Sequence, residues 1–301
     1  MSLIKIPLSV PERFKAEYRK NYKIMTANTG NLFLIAGDQK IEHLNDDFHG
    51  NGIAPEDGTP EHLFKIAAQS PKAVLGLPLG LISKYGEDYR KVNYLVKLNG
   101  KTNLGPNEEK NSSKPLWTVE DVVKLKKQSG LKIAAVGYTI YLGGKYESQM
   151  LAEASQMINE AHSNGLLTLI WMYPRSKDVN EEDAHIIAGG AGVAASLGTD
   201  FVKVKYPYNN RNKKQTAEKF KEVVRAAGRT KIVCVGGKKK DDKIVLEYLK
   251  NQLKVGTAGL AIGRNLHQLP LADAIRLSQK ISKTIFPTKK KQATSNFLGL
   301  F

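Results

Sequence analysis

A chain of 301 residues that is 41% hydrophobic and 25% charged carries enough apolar material for a substantial core, in one large domain or two smaller ones. No apolar run reaches the roughly 20 residues that a bilayer span requires, and the N-terminus MSLIKIPLSVPERFK lacks the pattern of a secretory signal. The single cysteine, Cys234, excludes an intramolecular disulfide and fits a cytoplasmic setting, while the net charge of +17 is spread along the chain without interleaved aromatics, so anionic small molecules are expected partners and nucleic acid is not.

Residues 1–30 precede the first strand signal and are expected to pack under the fold or at a subunit contact. Eight short apolar, β-branched runs follow: LFLIAG (Leu32–Gly37), AVLGL (Ala73–Leu77), YLVKL (Tyr94–Leu98), KIAAV (Lys132–Val136), LLTLIWMY (Leu166–Tyr173), FVKVKY (Phe201–Tyr206), KIVCV (Lys231–Val235) and AGLAI (Ala258–Ile262). Each leads through a loop into a segment of helical period, such as TVEDVVKLKKQSG or TAEKFKEVVRAAG. Gly130, Gly165, Gly198 and Gly228 stand where such segments stop. Alternation of this kind over residues 31–286 predicts a single-domain (β/α)8 TIM barrel. A doubly wound open sheet fits less well, because it usually has fewer strands and no GxGxxG follows the first one. Residues 287–301, PTKKKQATSNFLGLF, read as a basic tail with an apolar end.

In such a barrel the chemistry sits at the C-terminal ends of the strands. The first strand ends in Asp38 and Gln39, the third carries Lys97, and the fifth ends in Trp171, Tyr173 and Arg175. The sixth carries Lys203 and Lys205, which two-residue alternation puts on one face while Val202 and Val204 take the other. With the valines packed outward against helices, both lysines face the interior or its mouth, where lost hydration and a second ammonium favour a neutral, nucleophilic amine. A lysine that snorkels or pairs with a carboxylate is the alternative for either one. Trp171 and Tyr173 share a face, as pocket wall and proton relay or as plain core. Asp38 could hold a substrate hydroxyl or cap a helix. The glycine pair Gly236–Gly237 and the Gly263–Arg264 step end the last two strands, where backbone N–H groups and a guanidinium can cradle a phosphate. DQKIEHLNDDFH holds His43 and His49 among carboxylates but lacks metal-ligand spacing, so neither a metal nor a cofactor is expected.

Together the blocks AGDQKIEH, LVKLNGKT, AVGYTIYLGG, LIWMYPR, GTDFVKVKYP, CVGGKK and AIGRN, spread over roughly residues 30–270, resemble the archaeal-type class I fructose-bisphosphate aldolases and their bacterial aldolase and aldolase-like synthase and thiolase relatives. The resemblance implies a metal-independent, Schiff-base-forming cleavage of a phosphorylated sugar, fructose 1,6-bisphosphate or another keto phosphate, by a homo-oligomer, in this family often built from pentameric rings. It implies that Lys203, rather than Lys205, forms the Schiff base, that Tyr173 donates a proton, that Trp171 shapes the pocket, and that Asp38 contacts the substrate and supports acid–base steps. His43, Gly236, Gly237, Gly263 and Arg264 match substrate- or phosphate-binding positions. Gln39, Arg175, Lys205, Val235 and Lys238, within the same blocks, complete the candidate binding set. The family's usual DQGIEHG reads DQKIEHL here, with Lys40 and Leu44 in place of glycines, YPRG reads YPRS, and GGP reads GGK.

Overall fold

The computed structural model describes residues 4–176, 179–207, 213–237 and 239–287. The strands are β1 (Leu32–Ala36), β2 (Val74–Pro78), β3 (Asn93–Lys97), β4 (Asn99–Gly100), β5 (Lys114–Pro115), β6 (Lys132–Leu142), β7 (Leu167–Pro174), β8 (Phe201–Val204), β9 (Lys231–Val235) and β10 (Gly259–Ile262). The helices are α1 (Lys15–Thr26), α2 (Gln39–Glu42), α3 (Glu61–Ala68), α4 (Leu79–Tyr85), α5 (Val119–Ser129), α6 (Glu147–Ser163), α7 (Ala184–Leu197), α8 (Lys213–Ala227), α9 (Asp242–Val255), α10 (Arg264–His267) and α11 (Leu271–Ile285). Among the described residues, eight strands close into a parallel barrel in the order β1-β10-β9-β8-β7-β6-β3-β2. The eight strand signals all fall on this barrel; β4 and β5 are an added antiparallel hairpin beyond β3.

Strand alternation sorts the apolar residues into two layers. Phe33, Ile35, Val96, Ile170, Val202, Val204 and Cys234 face outward into the helix layer. Leu32, Leu34, Leu95, Leu167, Leu169, Trp171, Phe201 and Val233 fill the barrel interior. Helix stops follow backbone conformation: Gly130 and Gly198 end α5 and α7 at φ +68° and +87°, a region that costs a residue with a Cβ roughly 1–2 kcal/mol. A capping box, with Thr118 and Asp121 exchanging hydrogen bonds, starts α5.

The N-terminal segment packs beneath the barrel. Val10, Tyr18 and Met25 join the interior cluster, and the Tyr22 ring stacks on Phe201 at 6.3 Å. A buried polar clasp fixes α1 there: the Tyr18 hydroxyl donates to Asp200, whose other oxygen accepts from Thr168 N at 2.8 Å and faces His162 Nε2 at 3.1 Å. The N-terminal segment therefore covers the floor of the barrel and leaves the C-terminal ends of the strands to form the site.

Candidate active site

Lys203 is the last inward residue of β8, 4% exposed, above the Phe201 layer. Its ammonium nitrogen lies 5.3 Å from the centre of the Trp171 ring, which projects from the paired position on β7. Gly137 on β6 makes that placement possible. A Cβ there would lie 2.2 Å from Trp171 Cζ3, so the missing side chain is the slot for the indole. Lys97, from the inward face of β3 and 2% exposed, brings its ammonium to 5.2 Å from the same ring. It donates to the Asn99 carbonyl at 2.9 Å and meets Glu42 of α2 at 3.4 Å.

Two lysine side chains thus share one aromatic wall, with Glu42 paired to Lys97 and Asp38 acting on Lys203 through its charge. Asp38 is buried at the head of α2, makes no capping hydrogen bond with its side chain, and has one oxygen with no partner. Burial holds the Lys203 amine below the usual lysine range; Lys97 and Arg264 add to this, and Asp38 and Glu42 oppose it. Tyr173 lies two residues above Trp171 and stacks on Tyr141 of β6 at 6.0 Å, with the Arg175 guanidinium 5.4 Å from its centre. Burial, and then the charges of Asp38 and Glu42, push its phenol well above the ordinary tyrosine value, which keeps it protonated.

The second half of the site lies across the mouth. Gly236 and Gly237 follow β9, and Gly263 and Arg264 open α10 directly after β10. Asn265 joins the two loops: its amide donates to the carbonyls of Gly236 and Gly237 at 3.2 and 3.1 Å, and its oxygen accepts from Lys240 N at 2.6 Å. Val235, paired with Ala261, is the last strand residue beneath them. Gln39 leans over Gly263, where a Cβ would come within 2.5 Å of the Gln39 amide nitrogen. On the rim, Asp47 accepts from His43 at 2.5 Å and lies 3.6 Å from Arg264. That hydrogen bond favours the imidazolium and raises the His43 pKa, against the opposing effect of burial. A cation pair and backbone amides at two glycine-rich strand ends suit an anion such as phosphate.

The sequence-based set therefore falls into a chemical half (Asp38, Trp171, Tyr173, Arg175, Lys203) and an anion half (Gln39, His43, Val235, Gly236, Gly237, Gly263, Arg264). Lys238 lies outside the described residues. Lys205 is the exception. β8 ends at Val204, so strand alternation no longer governs Lys205; its ammonium lies 2.9 Å from Glu182 and 3.6 Å from Glu181 on the rim. The second ammonium acting on Lys203 is that of Lys97, on another strand. Lys97, Glu42, Tyr141 and Asn265 are the site residues to which sequence reasoning gave no role, although Lys97 was noted on the third strand. The signal was present for Lys97, which shares its strand face with the interior residue Leu95. Tyr141 was hidden because the strand was expected to stop at Val136, ahead of Gly137, whereas β6 runs on to Leu142. Leu44, where the resemblance expects glycine, stands at φ +55°, and Lys40 sets its ammonium 4.1 Å from the Phe48 ring.

Among the described residues, no group of three or more His, Cys, Asp or Glu could hold a metal ion, and no helix is long and apolar enough to cross a membrane.

The model of the DeoC/LacD family aldolases matches residues 32–269. The chain is 53% identical over 280 residues to the fructose-bisphosphate aldolase/6-deoxy-5-ketofructose 1-phosphate synthase of Methanocaldococcus jannaschii, covering 92% of this chain and 89% of that one. It superposes on the fructose-bisphosphate aldolase of Slackia heliotrinireducens with a TM-score of 0.89 at 44% identity, over 94% and 89% of the two chains. An archaeal fructose-1,6-bisphosphate aldolase, with its catalytic lysine covalently bound to the carbinolamine intermediate of the substrate, superposes with a TM-score of 0.74 at 29% identity, over 89% and 99%.

Proposed function

The chain belongs to the DeoC/LacD family of aldolases, and on that premise we propose that it is a class I aldolase that reversibly cleaves fructose 1,6-bisphosphate into dihydroxyacetone phosphate and glyceraldehyde 3-phosphate through a Schiff base on Lys203. The observation that carries this is the buried Lys203 amine, held below its usual pKa at the top of the barrel between an aromatic wall and two carboxylates.

The neutral amine attacks the C2 ketone, and the carbinolamine loses water to give an iminium. The electron pair of the C3–C4 bond moves into the iminium as that bond breaks, and the C4 hydroxyl becomes the aldehyde as its proton passes to Asp38. The unpartnered, buried oxygen of Asp38 suits that role. The enamine then takes a proton at C3 from Tyr173, whose raised pKa supports a donor, and Asp38 returns a proton to the phenolate. Water hydrolyses the iminium, which frees dihydroxyacetone phosphate and the Lys203 amine. Burial, with the Lys97 ammonium adding repulsion, favours the neutral Lys203 amine, and Trp171 shields both from solvent. Arg264, with the amide of Gly237, holds the C1 phosphate and fixes the register of the reacting bond. No step requires a metal ion. A homo-oligomer in the cytoplasm, where the single buried Cys234 stays reduced, completes the reading.

Borohydride trapping with dihydroxyacetone phosphate, followed by peptide mapping, tests it. The expected result is a reduced adduct on Lys203 and activity that survives a chelator; no adduct, together with activity lost to the chelator, would sink it. The second activity in the name of the M. jannaschii relative favours one further reading, a synthase that uses the same Schiff base on another keto phosphate. A panel that compares fructose 1,6-bisphosphate with such compounds decides between them.

A further inference from the structure

The single turn of α10 carries Arg264 to the anion half of the site. So short a helix does not hold its own shape in water, and its orientation depends on what grips its two ends. Asn265 ties the first end to the β9 loop. The far end is held by groups that the proposed chemistry leaves unused. His267 is buried, and its Nδ1 donates to Asp57 Oδ2 at 2.6 Å. Its backbone carbonyl accepts from His62 Nε2 at 2.9 Å, and its ring stacks on Phe48 at 4.7 Å with 9° between the planes.

Asp57 and Phe48 both belong to the segment between α2 and α3 that also bears Asp47, the carboxylate 3.6 Å from Arg264. The same segment grips Gln268, the residue after α10. The Gln268 amide donates to the Asp47 carbonyl at 2.8 Å, and Ala54 N donates to the Gln268 carbonyl at 3.2 Å. Lys40, which stands where the resemblance expects glycine, adds a cation 4.1 Å from the Phe48 ring and donates to the Gly58 carbonyl at 3.2 Å. Asp57 Oδ1, His62 Nδ1 and His267 Nε2 are buried without partners, so each of these side chains depends on the contact its other polar atom makes. Removing one partner strands the other in the interior, a loss that separation of the segment from α10 relieves.

We infer that Asp57, His267 and Phe48 form a positioning device for substrate binding. The hydrogen-bonded pair and the ring stack fix α10 against the segment between α2 and α3, and so hold Arg264 and Asp47 in the relative orientation that receives the substrate phosphate. All three residues are buried and act through Arg264. This inference rests on the aldolase reading above.

Steady-state cleavage of fructose 1,6-bisphosphate by the full chain, by its Asp57→Leu, Asp57→Asn and Arg264→Ala variants and by the Asp57→Leu/Arg264→Ala double variant tests it. Asp57→Leu, which removes the acceptor of His267, should raise KM about tenfold and keep kcat within about twofold. Asp57→Asn, which keeps an acceptor oxygen, should leave KM within about threefold of the wild-type value. In the Arg264→Ala background, Asp57→Leu should change KM by less than about twofold, because the group it positions is gone. Phe48→Leu, which keeps the position apolar without the ring stack, carries the same expectations as Asp57→Leu, so the test stands if Asp57→Leu does not fold. An unchanged KM, a fall in kcat in place of the rise in KM, the same KM factor in both backgrounds, or no rescue in Asp57→Asn would overturn the positioning role. Borohydride should trap dihydroxyacetone phosphate on Lys203 in every variant. A wild type that neither cleaves the bisphosphate nor forms that adduct would instead remove the aldolase reading, and the inference with it.

Discussion

Replacing Gly137 with alanine adds one methyl group at the point where β6 passes behind Trp171. The new Cβ would sit 2.2 Å from Cζ3 and 2.9 Å from Cη2 of the indole, and 3.1 Å from the Leu169 carbonyl. Ordinary carbon–carbon contact needs about 3.5 Å or more, so the ring must retreat by roughly 1 Å or the strands must part. Trp171 is fully buried, with Lys203 and Lys97 5.3 and 5.2 Å from its centre on strands that cannot easily yield. Overpacking of this kind costs about 1–3 kcal/mol, which in a domain of this size lowers Tm by roughly 2–8 °C. A displacement near 1 Å at the wall behind the nucleophile is expected to lower kcat by about 100-fold. Thermal unfolding and steady-state kinetics on Gly137→Ala, Trp171→Leu and the double variant form a cycle. The leucine vacates the slot, so the alanine should cost little stability once Trp171 is gone. A Gly137→Ala protein with wild-type Tm and kcat, or one whose stability loss is the same in the Trp171→Leu background, would refute the steric reasoning.

Lys97→Met removes a charge that disfavours protonation of Lys203 and leaves Glu42, which favours it, uncompensated. Both effects move the acid limb of the kcat/KM profile to higher pH, so the deficit is largest near neutrality and shrinks as pH rises; an unmoved limb would contradict the coupling. Tyr173→Phe should lower kcat by about 10²–10⁴-fold while borohydride still traps substrate on Lys203, as read by mass spectrometry. Arg264→Ala removes a charge-assisted hydrogen bond worth about 1.5–3 kcal/mol, so KM for the phosphorylated substrate should rise about 10–100-fold with little change in kcat. At the opposite end of the barrel, Asp200→Ala leaves Tyr18, Thr168 and His162 without their shared acceptor. Denaturant titration should report a stability loss of about 2–4 kcal/mol, and kcat for the folded fraction should stay near the wild-type value.

Much of this molecule is written in short-range pattern. Alternation along FVKVKY and LLTLIWMY set which side chains face the interior, because successive residues in a strand point to opposite faces whatever they pair with. Eight such runs separated by helical segments implied a barrel, and the barrel implied that chemistry gathers where the strands end. Gly130 and Gly198 marked helix ends because a left-handed backbone position is a local property. The glycines after β9 and β10 and the arginine that follows pointed to an anion site for the same reason. These features depend on residues within a few positions of one another.

What the sequence could not settle is which distant residues meet. Lys203 and Lys205 were equivalent by alternation, and the tertiary structure separates them: β8 ends at Val204, which leaves Lys205 to rim carboxylates and Lys203 to the interior. The like charge that depresses the nucleophile comes from Lys97, 106 positions earlier, and is placed by the closure of the barrel rather than by spacing along a strand. Gly137 looked like the end of a strand until the indole that fills its slot was in view, and so Tyr141 stayed out of the expected site. Nor could composition reveal that α1 is fixed to the floor through Asp200. Strand periodicity is fixed by backbone geometry at the residue itself. Electrostatic coupling and steric fit are set by distances through space, and those exist only once the barrel has closed.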